Sequence, residues 1–156
     1  MSALSCKAQQ LTLLGCVAVF LLFASCGGGP KRPRVYPVKG RLTVQGQPAA
    51  GARLTLTPTE NADPALWKMG YPQAIVRPDG SFAFTSYEDN DGAPPGNYKL
   101  TARWIEGDTG MPNEDADENT APPKQLLDEK YAQPESTPWT VVVEPKTNQL
   151  DPFEVP

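Results

Sequence analysis

Three groups of residues in this sequence have types that could do chemistry. They are Asp89, Asn90 and Asp91 in "EDNDG", the tryptophans Trp67, Trp104 and Trp139, and the cysteines Cys6, Cys16 and Cys26. Clustered carboxylate and amide oxygens suit a hard cation such as calcium. The closing glutamate of an EF-hand loop is missing here, so these residues read as a loop leading into a strand. Exposed indole rings stack on sugar faces. Trp104 and Trp139 fall in phase with apolar neighbours and are expected in the core, whereas Trp67 lies in a loop and is the candidate binding platform. The chain has no histidine, which removes the commonest general base and transition-metal ligand. Paired carboxylates could hydrolyse a glycoside, but the 18 acidic residues lie mostly in loops with no apolar pocket implied. Without histidine or a G-x-S-x-G turn there is no serine site either. No catalytic residue, no cofactor and no metal site is expected.

The cysteines all lie in the first 26 residues, so the rest of the chain carries no disulfide, no thiolate-bound zinc and no cysteine nucleophile. Around them, Lys7 precedes a 13-residue apolar run, Leu11 to Phe23. That length fits a signal-peptide core and falls short of the roughly 20 residues of a spanning helix. "FASC", Phe23 to Cys26, resembles the lipobox of bacterial lipoproteins, with small Ala24 and Ser25 before the cysteine and Phe23 where leucine is usual. The resemblance implies cleavage before Cys26 and acylation of that residue. "LLGC", Leu13 to Cys16, is locally the better lipobox, but it would leave only Leu11 to Gly15 as the hydrophobic core, and cutting there would leave "VAVFLLF" exposed. Residues 1–25 are therefore read as a lipoprotein signal peptide, and 26–37 as lipidated Cys26 with a flexible tether. Gly27 to Pro37 can reach at most about 35–40 Å. Its three glycines are flexible, and Pro30, Pro33 and Pro37 stiffen the remainder. Lys31, Arg32 and Arg34 stand where anionic lipid heads would be.

The elements that position everything else follow from a period of two. "VKGRLTV" places Val38, Leu42 and Val44 on one face, and "ARLTLTP" does the same for Ala52, Leu54 and Leu56. With the "QGQPAAG" loop between them, they read as a hairpin-like pair. "QAIV" is a third strand, "RPDG" a tight turn, and "SFAFTSY" a strand pointing Phe82 and Phe84 one way. "YKLTARW" and "WTVVVE" alternate likewise, and "LDPFEV" is an edge strand or is broken at Pro152. Leu54, Leu56, Phe82, Phe84, Leu100 and Val141 are expected inward, and Thr55, Ala83, Thr101 and Thr140 outward. The 18 prolines and 13 glycines disfavour long helices and suit short strands joined by turns. The fold class is thus all-β, a seven-stranded antiparallel β-sandwich over residues 38–156. Residues 106–123 carry six carboxylates and no basic residue, and read as an acidic, disordered insertion. "KQLLDEKYA" reads as about two helical turns with Leu127 and Tyr131 on one side.

Several phrases together resemble the carboxypeptidase regulatory-like, or transthyretin-like, domains. "VKGRLTVQGQPAAGARLTLTP" is similar to their V-x-G-x-V strand, G-x-P-x-x-G-A loop and following apolar strand. "RPDGSFAF" resembles their D-G-x-F turn, and "DGAPPGNYKLTA" their G-x-Y-x-L strand start. "KYAQPEST" and "WTVVVEPKTNQLDPFEV" resemble the C-terminal part of short envelope lipoproteins of this type. The resemblance covers about Val38 to Val155 and implies a transthyretin-like or Ig-like sandwich without catalytic residues of its own.

Net charge is -4, which disfavours phosphate backbones and hence nucleic acid. The expectation is a non-enzymatic module of the cell envelope. It would be exported across the inner membrane and held by its N-terminal lipid, with an outer membrane favoured because Gly27 is not an aspartate. Its role would be structural or in protein interaction. The alternative is a carbohydrate-binding accessory lipoprotein, with an envelope protein or a polysaccharide as the respective partner.

Overall fold

Alternation of apolar and polar side chains builds two sheets in the computed structural model, which describes residues 32–60, 67–106 and 124–156. Nine strands occur among these residues: β1 Val38–Val44, β2 Gln47–Pro48, β3 Arg53–Pro58, β4 Gln73–Ile75, β5 Ser81–Ala83, β6 Gly96–Arg103, β7 Thr140–Val143, β8 Asn148–Gln149 and β9 Phe153–Val155. Strand β1 is the hub of the first sheet. It pairs antiparallel with β2 and β5, and parallel with β8 and β9. The second sheet runs β4-β3-β6-β7, antiparallel throughout.

The two sheets share one core. Val38, Leu42, Phe82 and Phe84 meet Leu54, Leu56, Tyr98, Leu100 and Val141, all buried. Burying each such side chain contributes about 1.5–3 kcal/mol of transfer free energy. A chain of rings then closes the side where β7 and β9 lie. Tyr131 packs on Trp139 at 4.6 Å, Trp139 on Phe153 at 5.2 Å, Phe153 on Phe82 at 6.3 Å, and Phe82 on Phe84 at 5.5 Å. The architecture is an all-β, sandwich-like domain, and Pro33–Pro156 form one compact unit.

Four expectations change, the first being the strand count, since nine short strands stand among the described residues where seven are expected. The segments "VKGRLTV" and "ARLTLTP" are not a hairpin, because β1 and β3 lie in different sheets. Gln45 and Gly46 both have positive φ, 50° and 76°, and make a two-residue turn that returns the chain at once as β2. Ala49 and Gly51 then turn the chain across to the second sheet, with Ala52 N–H donating to Ala49 O at 3.0 Å. Pairing is not antiparallel throughout, since the last strands join β1 in parallel. The expected two helical turns at 124–132 are a single 3-10 turn, Glu129–Tyr131, capped by Asp128. Leu127 and Tyr131 nevertheless both reach the core.

The six residues expected inward are all buried, and Thr140 is exposed as expected. Ala83 and Thr101, expected outward, are each only 8% exposed. Ala83 sits in the angle where β4 and β5 separate toward different sheets. The Thr101 hydroxyl donates across the sheet to Thr55 O at 3.4 Å, and the 3-10 turn packs against the same strand. The break at Pro152 is present, with β9 starting immediately after it. The acidic insertion lies outside the described residues except for Glu106, as do the signal peptide, Cys26 and the first part of the tether.

Candidate functional site

Trp67 stands at the end of the loop that leads to β4. A turn fixes its backbone, with Gly70 N–H donating to Trp67 O at 2.9 Å and Gly70 at φ 90°. The indole is half-buried and meets two tyrosines edge-on: Tyr71 at 5.4 Å and 63°, and Tyr98 at 6.4 Å and 88°. Such edge-to-face pairs contribute about 0.5–1.5 kcal/mol beyond burial. Tyr71 remains 38% exposed, so one ring of the group faces water.

Trp67 and Tyr98 form one wall of a cleft of about 460 Å³. Pro58, Pro94 and Pro95 supply further apolar surface, while Arg34, Glu60 and Asn97 supply the polar groups. The geometry around it is locked. Tyr98 O–H donates to Pro94 O at 2.7 Å, and Thr59 donates to Asn97 O through its N–H at 3.0 Å and its hydroxyl at 3.2 Å. Burial pushes the Tyr98 hydroxyl up to about 12, with Tyr87 adding to the shift, so Tyr98 stays a neutral donor at ordinary pH. Prolines and aromatic edges with a few polar groups suit a sugar ring or an extended proline-containing segment. Among the described residues of the cleft, Glu60 is the one carboxylate.

The other two tryptophans pack against the core. Trp104 donates its indole N–H to Ala50 O at 2.9 Å, and Trp139 belongs to the ring chain above. The "EDNDG" loop does a structural job. Asp91 accepts from the main-chain N–H of Ser86 at 2.7 Å, Tyr87 at 3.0 Å and Glu88 at 3.0 Å. That consumes both carboxylate oxygens and ties the loop into a cap. Among the described residues no three histidine, cysteine, aspartate or glutamate side chains gather as a metal site. Gly92 follows in a left-handed conformation, φ 101°, where a β-carbon would overlap the Tyr36 carbonyl. The glycine of "DNDG" therefore admits the tether's last residues against the domain, with Tyr36 and Ala93 exchanging bonds at 3.0 Å.

No family model matches the chain. No curated protein matches it either. Among the described residues, no helix is long and apolar enough to cross a membrane.

Sequence reasoning singled out Trp67 without its neighbours. The signal for them was present in "WKMGY", where a glycine turn brings two aromatic residues together. The contribution of Tyr98 depended on knowing that the second sheet ends beneath that loop.

Proposed function

We propose that the protein is a non-enzymatic, lipid-anchored module of the cell envelope with a structural or protein-interaction role. One observation carries this reading: an apolar run ends at Ala24-Ser25-Cys26 and gives way at once to three glycines and a proline-rich stretch. A tether of that kind makes sense in front of a small β domain held near a membrane. Two acyl chains hold a protein stably where one does not. The D-G-S-F turn and the G-N-Y-K-L start of β6 support assignment to the carboxypeptidase regulatory-like domains, which carry no chemistry of their own. Replacing Cys26 with Ser and fractionating cells tests the anchor. The variant should move from the membrane to the soluble fraction and lose incorporated fatty acid. A mature N-terminus at another position, without acyl groups, would refute the anchor.

The carbohydrate-binding reading draws on the Trp67–Tyr71 pair beside the proline-lined cleft. Stacking on a sugar should quench or shift indole fluorescence. Trp67→Ala should abolish retention on envelope polysaccharide if that reading holds, and leave pull-down of protein partners intact.

A further inference from the structure

Met69 is the most exposed large apolar side chain among the described residues, at 65%. It sits at the tip of a tight turn, closed by Gly70 N–H donating to Trp67 O at 2.9 Å. Small or polar residues usually fill the two central positions of such a turn. Here they are Lys68 and Met69, both exposed. Tyr71, 38% exposed, stands just beyond the turn. The loop thus carries an apolar tip that the packing of the domain does not use. Its base is stiff, because the Trp67 ring braces Tyr71 edge-on at 5.4 Å and rests against buried Tyr98 at 6.4 Å. A tip held in this way loses little conformational freedom on docking.

The point where the N-terminal segment joins the domain indicates what the tip meets. Pro33, Arg34 and Tyr36 line the same cleft as Trp67 and Tyr98. Tyr36 is fixed there by two main-chain bonds with Ala93, both 3.0 Å, and by Gly92, where a β-carbon would overlap the Tyr36 carbonyl. The chain therefore enters the domain beside the Trp67 turn. Cys26 lies seven positions before Pro33, a reach of at most about 25 Å. Acyl chains on Cys26 would keep the turn within that distance of the bilayer surface. A second, weak contact with the bilayer then becomes intramolecular, at an effective concentration of about millimolar or more.

We propose that the Met69 turn docks into the lipid interface, with Met69 and the Tyr71 ring entering the boundary between headgroups and acyl chains. Tyrosine suits that depth, its ring in the apolar layer and its hydroxyl among the headgroups. The Lys68 stem lies along the same surface while its ammonium stays in water. Docking fixes the orientation of the domain on its tether and brings the Trp67 cleft to the membrane surface. This inference rests on the lipid-anchor reading.

The acylated protein in phosphatidylcholine vesicles tests it, with tryptophan emission compared between ordinary lipid and lipid brominated on its acyl chains. Bromine quenches an indole only at close approach. Trp104 is bonded to Ala50 O and Trp139 sits between Tyr131 and Phe153, so Trp67 is the indole that lipid reaches. Emission should fall in brominated lipid, and Trp67→Phe should remove that fall. Met69→Ser should reduce it by about threefold or more without lowering the melting temperature, and Met69→Leu should retain it. An equal fall in Met69→Ser would reflect nearness on the tether alone and would overturn the docking. So would a Trp67 that responds to envelope polysaccharide and not to brominated lipid. The two readings fail differently. Protein without acyl groups on Cys26 leaves the vesicles and refutes the anchor and the docking together, whereas acylated protein that stays on them with undiminished emission refutes the docking alone.

Discussion

Gly40 and Phe82 face each other across β1 and β5, and the Phe82 ring lies over the glycine, its Cζ 2.5 Å from where a β-carbon would stand. The ring is in turn packed against Phe84 and Phe153. Both neighbours resist its displacement. Gly40→Ala should therefore cost about 1–3 kcal/mol through overpacking. In a Phe82→Leu background, which removes the obstructing atom, the same change should cost much less. Urea denaturation of the four proteins of this cycle measures the coupling, and strict additivity would show that the contact does not constrain position 40.

Phe84 is fully buried and Thr140 is exposed on the outer face of β7. Phe84→Ala should destabilise by about 3–5 kcal/mol and Thr140→Ser by no more than about 0.5 kcal/mol. Total stability of a domain this size is about 5–15 kcal/mol, so the first variant approaches unfolding. Similar midpoints for the two would contradict the assignment of faces.

Tyr98 links stability to alkaline pH. Its hydroxyl is neutral up to about pH 12 in the fold and ionises near its ordinary 10 once the chain unfolds. The stabilisation is complete below pH 10 and declines as pH rises from 10 toward 12, by roughly 2–3 kcal/mol. Tyr98→Phe forfeits the bond to Pro94 O, about 1 kcal/mol at neutral pH, but removes this part of the alkaline decline. Denaturant midpoints for both proteins from pH 7 to 12 should cross between pH 10 and 12, the variant ending the more stable by about 1–2 kcal/mol. Parallel curves would count against a buried, neutral Tyr98.

Asp91 accepts three main-chain bonds, so Asp91→Ala should cost about 2–3 kcal/mol by leaving N–H groups of the 86–88 turn without their acceptor. Calcium or a chelator should leave the melting temperature of the parent protein unchanged. A rise of several degrees with millimolar calcium would restore the loop as a cation site.

Strands β1, β3 and β6 were legible because each alternates over six or more residues. Strands β2 and β8 span two residues each, too few for a period to show. The false hairpin arose from reading "QGQPAAG" as one loop, although Gln45–Gly46 already completes a turn. The inward set from Leu54 to Val141 was readable from its own strands. The burial of Ala83 and Thr101 was not, because it depends on neighbours outside their own strands. Nothing local tells that β4 parts from β5 between Gln73 and Arg77.

Parallel pairing of β1 with β8 and β9 also has a mechanical consequence. The chain passes from Pro37 straight into β1, so a load applied from the N-terminal side travels along that strand. Strand β1 is bonded on both edges, to β5 and β2 on one and to β8 and β9 on the other. Drawing it out lengthwise shears these ladders together instead of unzipping them bond by bond. The domain is thus gripped along both edges of the very strand through which it would be pulled.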